Sequence, residues 1–149
     1  MLDNLAGGRR TTCGRLIPYC LFTDPELAHV GLTESEARAQ GVPYRIARMP
    51  MAQVFRAITL SETRGFIKAL IGADDRILGF TAFGAEASEL MAVAQTAMLG
   101  RIPYTVLRDT IWTHPTAAEG LLGLFANPPA APTGGNGLSA EVYLQPTKE

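Results

Sequence analysis

The stretch RGFIKALIGADDRILGFTAFGAEASELMAVAQTAML, residues 64–99, decides the fold of this 149-residue chain. Its first half contains two apolar runs, Gly65–Ile71 and Arg76–Gly84, on either side of the turn sequence GADD, which predicts two strands joined by a tight turn. Its second half predicts a helix over Ala85–Leu99, ended by Gly100, because apolar residues recur there at the spacing of one helical face. That face consists of Leu90, Val93, Ala94, Ala97 and Met98.

The flanking segments add elements of both kinds. Thr33 and Glu36 have the spacing of a capping box and Gly41 supplies a left-handed stop, so a short helix is expected over Thr33–Gln40. The other predictions, in chain order, are a strand over Pro18–Phe22, a turn at TDPEL, an edge strand over Tyr44–Met51 that Pro50 closes, a helical turn over Pro103–Arg108 and a last helix over Ala117–Ala126. Together they predict an α+β domain, an antiparallel sheet with helices packed on one side.

The length allows one domain with a real core and is too short for two full-sized ones. Residues 1–16 are polar and aperiodic, which indicates a linker or arm, and residues 17–126 form the expected domain. Residues 127–149 concentrate Pro and Gly, so a disordered tail is expected, although the short run Val142–Leu144 could extend a sheet edge.

Composition excludes several classes of function. The net charge is −1 and the Lys and Arg residues are scattered, so a nucleic-acid surface is not expected. No apolar run approaches the length of a membrane span and the first ten residues lack the apolar core of a signal peptide, which makes a cytoplasmic location the expectation.

The two cysteines, Cys13 and Cys20, are spaced C-x6-C. This spacing is neither that of a redox C-x-x-C pair nor that of a zinc site, so two reduced and unrelated thiols are expected, with a bridge between them left open. The two histidines are far apart in sequence, which makes a metal site improbable. His29 is expected to face solvent or to pack locally, and Glu86 and Glu89 to lie on the solvated face of their helix.

The segment TIWTHPTAAEGLLG, residues 110–123, contains the candidate catalytic residues. An imidazole titrates near neutral pH, so His114 could move a proton, and Glu119 lies close enough along the chain to orient it. The same glutamate forms a T-x-x-E capping box with Thr116, which explains both residues without any chemistry. Met91 and Met98 likewise allow two interpretations, core residues or a surface for self-association.

The order of three motifs resembles a known family. The runs FTDPELAHVGLTESEARAQG, RGFIKALIGADDRILGFTAFGAEASELMAVAQTAM and HPTAAEGL are similar to the C-terminal interface domain of the pyridine nucleotide-disulfide oxidoreductases. These are flavoenzymes such as dihydrolipoamide dehydrogenase, glutathione reductase and mercuric reductase. The resemblance extends from Pro18 to Ala126 and implies an α+β domain that forms a homodimer interface.

The resemblance also implies roles for individual residues. His114 matches the family histidine, which reaches into the active site of the other subunit as acid and base for a dithiol, and Glu119 matches the glutamate that holds it. Pro115 matches the proline whose bond to that histidine is often cis, and Thr116 completes the motif. FAD and NAD(P)H are implied as cofactors of the parent enzyme, which would hold them in its other domains.

This chain lacks the family's flavin-binding fingerprint, redox cysteine pair and nicotinamide-binding domain, and Cys13 and Cys20 cannot replace the redox pair. We therefore expect a separated C-terminal piece with no redox activity by itself. The alternative is a free-standing dimerising module without enzyme activity, in which His114 is a relic. A hydrolase using His114 is a third hypothesis, without a recognisable nucleophile motif. The substrate and the choice between NAD and NADP stay open.

Overall fold

The computed structural model describes residues 2–12 and 14–126. Its helices are α1 (Leu2–Leu5), α2 (Glu34–Ala39), α3 (Phe55–Thr59), α4 (Ala87–Leu99), α5 (Tyr104–Asp109) and α6 (Gly120–Ala126), with a 3₁₀ turn at Met51–Gln53. Its strands are β1 (Tyr19–Leu21), β2 (Glu26–Gly31), β3 (Arg45–Pro50), β4 (Phe66–Ile71) and β5 (Ile77–Gly84). The predicted tail 127–149 and its run Val142–Leu144 lie outside the described residues, as does Cys13.

The five strands form one antiparallel sheet in the order β1-β2-β5-β4-β3. The predicted hairpin is confirmed: β4 and β5 pair from Phe66 opposite Phe83 to Ile71 opposite Ile77. The strand predicted over Tyr44–Met51 is β3, which is an edge strand and ends at Pro50, also as expected. The α+β class predicted from the order of elements is therefore correct.

Strand β2 was not predicted, because its six residues directly follow the Asp-Pro turn and lack a regular alternation of polar and apolar residues. It pairs with β5 over its whole length, from Glu26 opposite Gly84 to Gly31 opposite Gly79. A Cβ atom on Gly79 would lie 1.9 Å from the carbonyl oxygen of Leu32, so only glycine lets the two backbones approach this closely. Both strands lie in the interior of the sheet, where β5 is the middle strand and β2 is its neighbour.

Short elements account for the other differences from the predictions. Helix α1 lies within the predicted arm 1–16, and neither the 3₁₀ turn nor α3 was anticipated. Helix α4 begins two residues later than expected and α6 begins at Gly120 rather than Ala117. These helices have few residues or lack a side-chain cap, so the sequence gives only a weak indication of where each of them begins.

The main core lies between one face of the sheet and helices α4, α5 and α6. Phe80 is fully buried at its centre and lies opposite Val30 on one neighbouring strand and Ala69 on the other. The predicted helical face is confirmed, with four of its residues buried and Val93 partly buried against the core. Met91 and Met98 also lie in this core, so they are core residues and do not form a self-association surface.

A smaller apolar cluster lies under α2 and contains Ala37, Val42, Leu70 and Leu78. The capping box predicted for α2 is present: the Glu36 N–H donates to Thr33 Oγ1 at 3.2 Å, and the Thr33 N–H donates to Glu36 Oε2 at 2.8 Å. These bonds from the Thr33 backbone and hydroxyl lower the pKa of the Glu36 carboxyl. The stabilisation is therefore present at neutral pH and is lost as the pH falls through that lowered pKa.

His29 is buried, with 5% of its surface exposed, so of the two expectations for it the solvent-facing position was wrong and the packed position is found. Its Nδ1 lies 2.9 Å from the Thr81 hydroxyl on β5, and its Nε2 lies 3.0 Å from the carbonyl oxygen of Gly31. The ring also contacts Tyr19 of β1 at a centroid distance of 5.3 Å. His29 is thus a structural residue with both nitrogens bonded, which links three adjacent strands.

The start of α4 is capped from outside the helix. Glu86 precedes the helix in a left-handed conformation (φ 58°) and makes no side-chain cap. The carboxylate of Glu26 on β2 supplies one, because its Oε2 accepts hydrogen bonds from the Ser88 N–H at 3.0 Å and from the Ser88 hydroxyl at 2.8 Å. A carboxylate is favoured at this end of a helix by the free N–H groups and the helix dipole.

We predict that Glu26→Ala lowers the free energy of unfolding by about 1–2 kcal/mol, because it leaves two donors of Ser88 without their charged acceptor. Glu26→Gln keeps an acceptor and should lose less. Urea denaturation followed by circular dichroism measures both. The control is Glu89→Ala, an exposed glutamate on the same helix, which should change stability by no more than about 0.5 kcal/mol. Equal losses for Glu26→Ala and Glu89→Ala would contradict the external cap.

Candidate functional site

The HPT segment, His114-Pro115-Thr116, lies on the surface loop between α5 and α6. The His114–Pro115 peptide bond is cis, as the resemblance implied; the Asp24–Pro25 bond, which was not anticipated, is cis as well. The His114 side chain keeps 57% of its surface exposed. The imidazole therefore projects from the loop and is not buried among the aliphatic side chains of its own chain.

Glu119 contacts one nitrogen of this imidazole with both of its carboxylate oxygens. The distances from His114 Nδ1 are 2.8 Å to Oε2 and 3.0 Å to Oε1. An ionised carboxylate can only accept hydrogen bonds, so Nδ1 carries the proton in this contact. In the neutral ring, Nε2 then has the free lone pair, and within the described part of the chain it has no hydrogen-bond partner.

Thr116 satisfies the backbone at the start of the same turn. Its hydroxyl donates to the carbonyl oxygen of Thr113 at 2.8 Å and accepts a hydrogen bond from the Glu119 N–H at 3.3 Å. Only half of the predicted capping box is present among the described contacts: the Glu119 N–H donates to the Thr116 hydroxyl, whereas the Glu119 carboxylate contacts His114 and not the Thr116 N–H.

Phe55, which the sequence did not indicate, also contacts the imidazole. Its ring centroid lies 4.7 Å from that of His114, with 37° between the two planes. Phe55 is the first residue of α3 and is 49% exposed. No motif could have marked it, because its helix was not predicted and it lies far from His114 along the chain.

Close contact between Val54 and Gly120 joins the segments on which Phe55 and Glu119 lie. Val54 is 1% exposed. A Cβ atom on Gly120 would lie 3.1 Å from Val54 Cγ2, which is tighter than an ordinary contact. A glycine at the start of α6 therefore lets this helix approach the residue that precedes α3, and the site is assembled on a buried contact.

The remaining candidates stay separate from this site. Cys20 is a free thiol on β1, and its pKa is raised first by partial burial and then by the Glu26 carboxylate. Glu89 is exposed as expected, whereas Glu86 forms an ion pair with Arg56. Across residues 2–12 and 14–126, no group of three or more His, Cys, Asp or Glu side chains is placed to hold a metal ion. None of the helices described is long and apolar enough to cross a membrane.

Comparison of the chain with known proteins shows that it is similar to members of one family. The model of the "Pyridine nucleotide-disulphide oxidoreductase, dimerisation domain" matches residues 17–124. The probable pyridine nucleotide-disulfide oxidoreductase RclA of Escherichia coli is 36% identical over 127 residues, which are 83% of this chain and 29% of RclA. The solved structure of this relative, described as an HOCl-induced flavoprotein disulfide reductase, superposes with a TM-score of 0.77 at the same identity and coverage.

Two further relatives match a similar part of the chain. The dihydrolipoyl dehydrogenase of Thermus scotoductus is 37% identical over 118 residues, which are 78% of this chain and 26% of that enzyme. The mercuric reductase of Shewanella putrefaciens is 36% identical over 119 residues, which are 79% of this chain and 21% of that enzyme. The chain therefore spans less than a third of the length of these relatives.

We predict that neutral His114 carries its proton on Nδ1, because the Glu119 carboxylate can only accept. Nitrogen-15 NMR of the imidazole in alkaline solution, where imidazole side chains are neutral, distinguishes the two tautomers. Glu119→Ala should shift the population toward the Nε2–H tautomer, whereas Glu89→Ala, which removes a distant exposed carboxylate, should leave it unchanged. A wild-type ring with its proton on Nε2 would contradict the geometry.

Proposed function

We propose that this chain, which belongs to the pyridine nucleotide-disulphide oxidoreductase family as its dimerisation domain, pairs with a second copy and supplies His114 as acid and base to the partner subunit's active site. Glu119 holds the imidazole, and Pro115 and Thr116 shape the loop. The observation that carries the proposal is the 2.8 Å contact between Glu119 and an imidazole that is more than half exposed. An exposed ring held on one nitrogen presents the other to a second molecule.

The proton chemistry follows from this arrangement. Nε2 accepts the proton of a substrate thiol and leaves a thiolate, which is the nucleophilic form of sulfur. The imidazolium that results is stabilised by the Glu119 carboxylate on Nδ1. In the opposite direction, Nε2–H returns the proton to a departing thiolate. His114 thus serves as base and as acid without changing its contact with Glu119.

Electron transfer belongs to other parts of the parent enzyme. The sequence contains neither a G-x-G-x-x-G fingerprint nor a C-x4-C pair, so these residues do not fit a flavin or a redox disulfide. We propose that FAD, NAD(P)H and the redox cysteines are held by domains that this chain does not span. By itself the chain then moves protons at most and has no redox turnover.

The surroundings of His114 support association with a second copy. Ile111, three residues before it, is 98% exposed, and Phe55, which contacts it, is 49% exposed. Large apolar side chains next to a polar site are typical of surfaces that another protein covers. A two-fold contact at this surface places each His114 beside the other subunit, since the same patch serves on both copies.

For the purified chain we predict a dimer without flavin absorbance and without oxidation of NADH or NADPH. Sedimentation velocity measures the mass, which should be twice the 16.0 kDa of one chain. Gel filtration over a dilution series gives the dissociation constant. A chain that stays monomeric at high concentration would contradict the proposed pairing, and bound flavin would contradict the assignment of cofactors to other domains.

A chimera tests the role of His114. Residues 17–126 replace the matching segment of the Thermus scotoductus dihydrolipoyl dehydrogenase, and oxidation of dihydrolipoamide by NAD⁺ is measured. We predict that His114→Gln lowers kcat by about 10²–10⁴-fold, the usual contribution of general acid–base catalysis, while flavin content and dimer mass stay unchanged. Glu119→Gln keeps a neutral acceptor and should lose less. Glu89→Gln is the control. Normal kcat for the His114→Gln chimera would contradict the catalytic role.

A further inference from the structure

Phe55 is a large apolar side chain whose exposure fits a dimer surface, but whose contact with the His114 ring the proposed function does not explain. Phe55 is the first residue of α3, and 49% of its surface is exposed. By contrast, Val54, which directly precedes it, and Ala57, two residues later, are each only 1% exposed. Burial of an aromatic ring is favourable, and half-exposure forgoes much of that gain. What the ring does contact is the imidazole of His114, at 4.7 Å between centroids.

The contact with Glu119 by itself does not fix the plane of the imidazole. Both carboxylate oxygens approach the same atom, Nδ1, so the ring can pivot about this point and swing Nε2 through an arc. A second contact, made by a neighbouring ring and not at Nδ1, restricts this freedom. Phe55 provides it, because its ring lies against the imidazole with an angle of 37° between the planes.

We propose that Phe55 is a positioning residue for His114, which holds the imidazole plane so that Nε2 points toward the partner subunit. This inference rests on the proposed function, because it concerns the orientation of the same acid and base. Phe55 acts through the imidazole. Its effect is therefore on the rate of proton transfer and not on the binding of cofactors.

The backbone that carries Phe55 is fixed by contacts of the residues on either side of it. Val54 lies against Gly120, so the residue before Phe55 contacts the residue after Glu119. The next residue of α3, Arg56, donates from Nε to Glu86 Oε1 at 3.2 Å and ties this helix to the start of α4. The two groups that contact His114, a carboxylate and an aromatic ring, are thus carried by segments that one buried contact joins.

Ile58 provides a matched control on the same helix. It follows Phe55 by three residues and has the same exposed fraction, 49%. A general role of α3 as apolar surface for dimerisation would apply to both residues equally. A positioning role applies to Phe55 alone, because the ring contact with His114 is made by Phe55.

Two measurements test the proposal with Phe55→Leu, Phe55→Tyr and Ile58→Ala. In the chain itself, proton–carbon NMR follows the His114 ring signals, which the ring current of Phe55 displaces. Phe55→Leu should remove this displacement, while Phe55→Tyr and Ile58→Ala should keep it. In the chimera, Phe55→Leu should lower kcat by about 10-fold, since a misplacement of 1 Å costs up to ~10²-fold. KM should change by less than about twofold, and Phe55→Tyr should restore kcat.

The outcomes separate this inference from the proposed function. If His114→Gln lowers kcat but Phe55→Leu does not, the positioning role is overturned and the catalytic role of His114 stands. If His114→Gln leaves kcat unchanged, the proposed function fails first. Equal losses for Phe55→Leu and Ile58→Ala, or failure of Phe55→Tyr to restore kcat, would also overturn the positioning role. An unchanged His114 spectrum in Phe55→Leu would do so without any assay of activity.

Discussion

The pairing of strand β5 on both of its edges is the constraint on which the rest of the domain depends. β2 bonds to one edge and β4 to the other, so the backbone polar groups of this buried strand are satisfied on both sides. Gly79 has no side chain, which lets the residue after β2 approach within backbone contact of β5. Phe80, fully buried on the next position, then lies under the helices and fixes the centre of the core.

The helices are placed by this sheet and in turn hold the HPT loop. Helix α4 rests on β2 and β5, and the Glu26 carboxylate of β2 caps its first turn. Helix α6 lies against Val54 through Gly120, where a Cβ atom would be closer to the Val54 side chain than in an ordinary contact. The loop before α6 is therefore supported by the core although His114 itself projects from it.

At the candidate site, the groups that hold the His114 ring are distinct from the nitrogen that we propose transfers a proton. Glu119 and Phe55, which contact the His114 ring, belong to its own chain, and the Glu119 carboxylate lies on Nδ1, which leaves the other ring nitrogen, Nε2, for the proton transfer that we propose. This arrangement supports the proposal that His114 acts on a molecule bound by another subunit, and the match of the chain to the dimerisation domain of its family agrees with that proposal. The chain spans less than a third of the length of these relatives. This limited span supports the proposal that oxidation and reduction depend on other domains.

Local patterns in the sequence determined the β4–β5 hairpin, the apolar face of α4 and the capping box of α2, whereas the spacing of His114 and Glu119 only permitted the contact that the family resemblance implied. The hairpin, the apolar face and the capping box depend on residues close together in the chain, where spacing fixes geometry. Only the tertiary structure decided that β2 is a central strand, that His29 is buried, and that Phe55 lies on the imidazole. These depend on partners far away in sequence: β5 for β2, Thr81 for His29, and His114 for Phe55. No short-range pattern encodes such contacts, because the packing of the whole core brings them together.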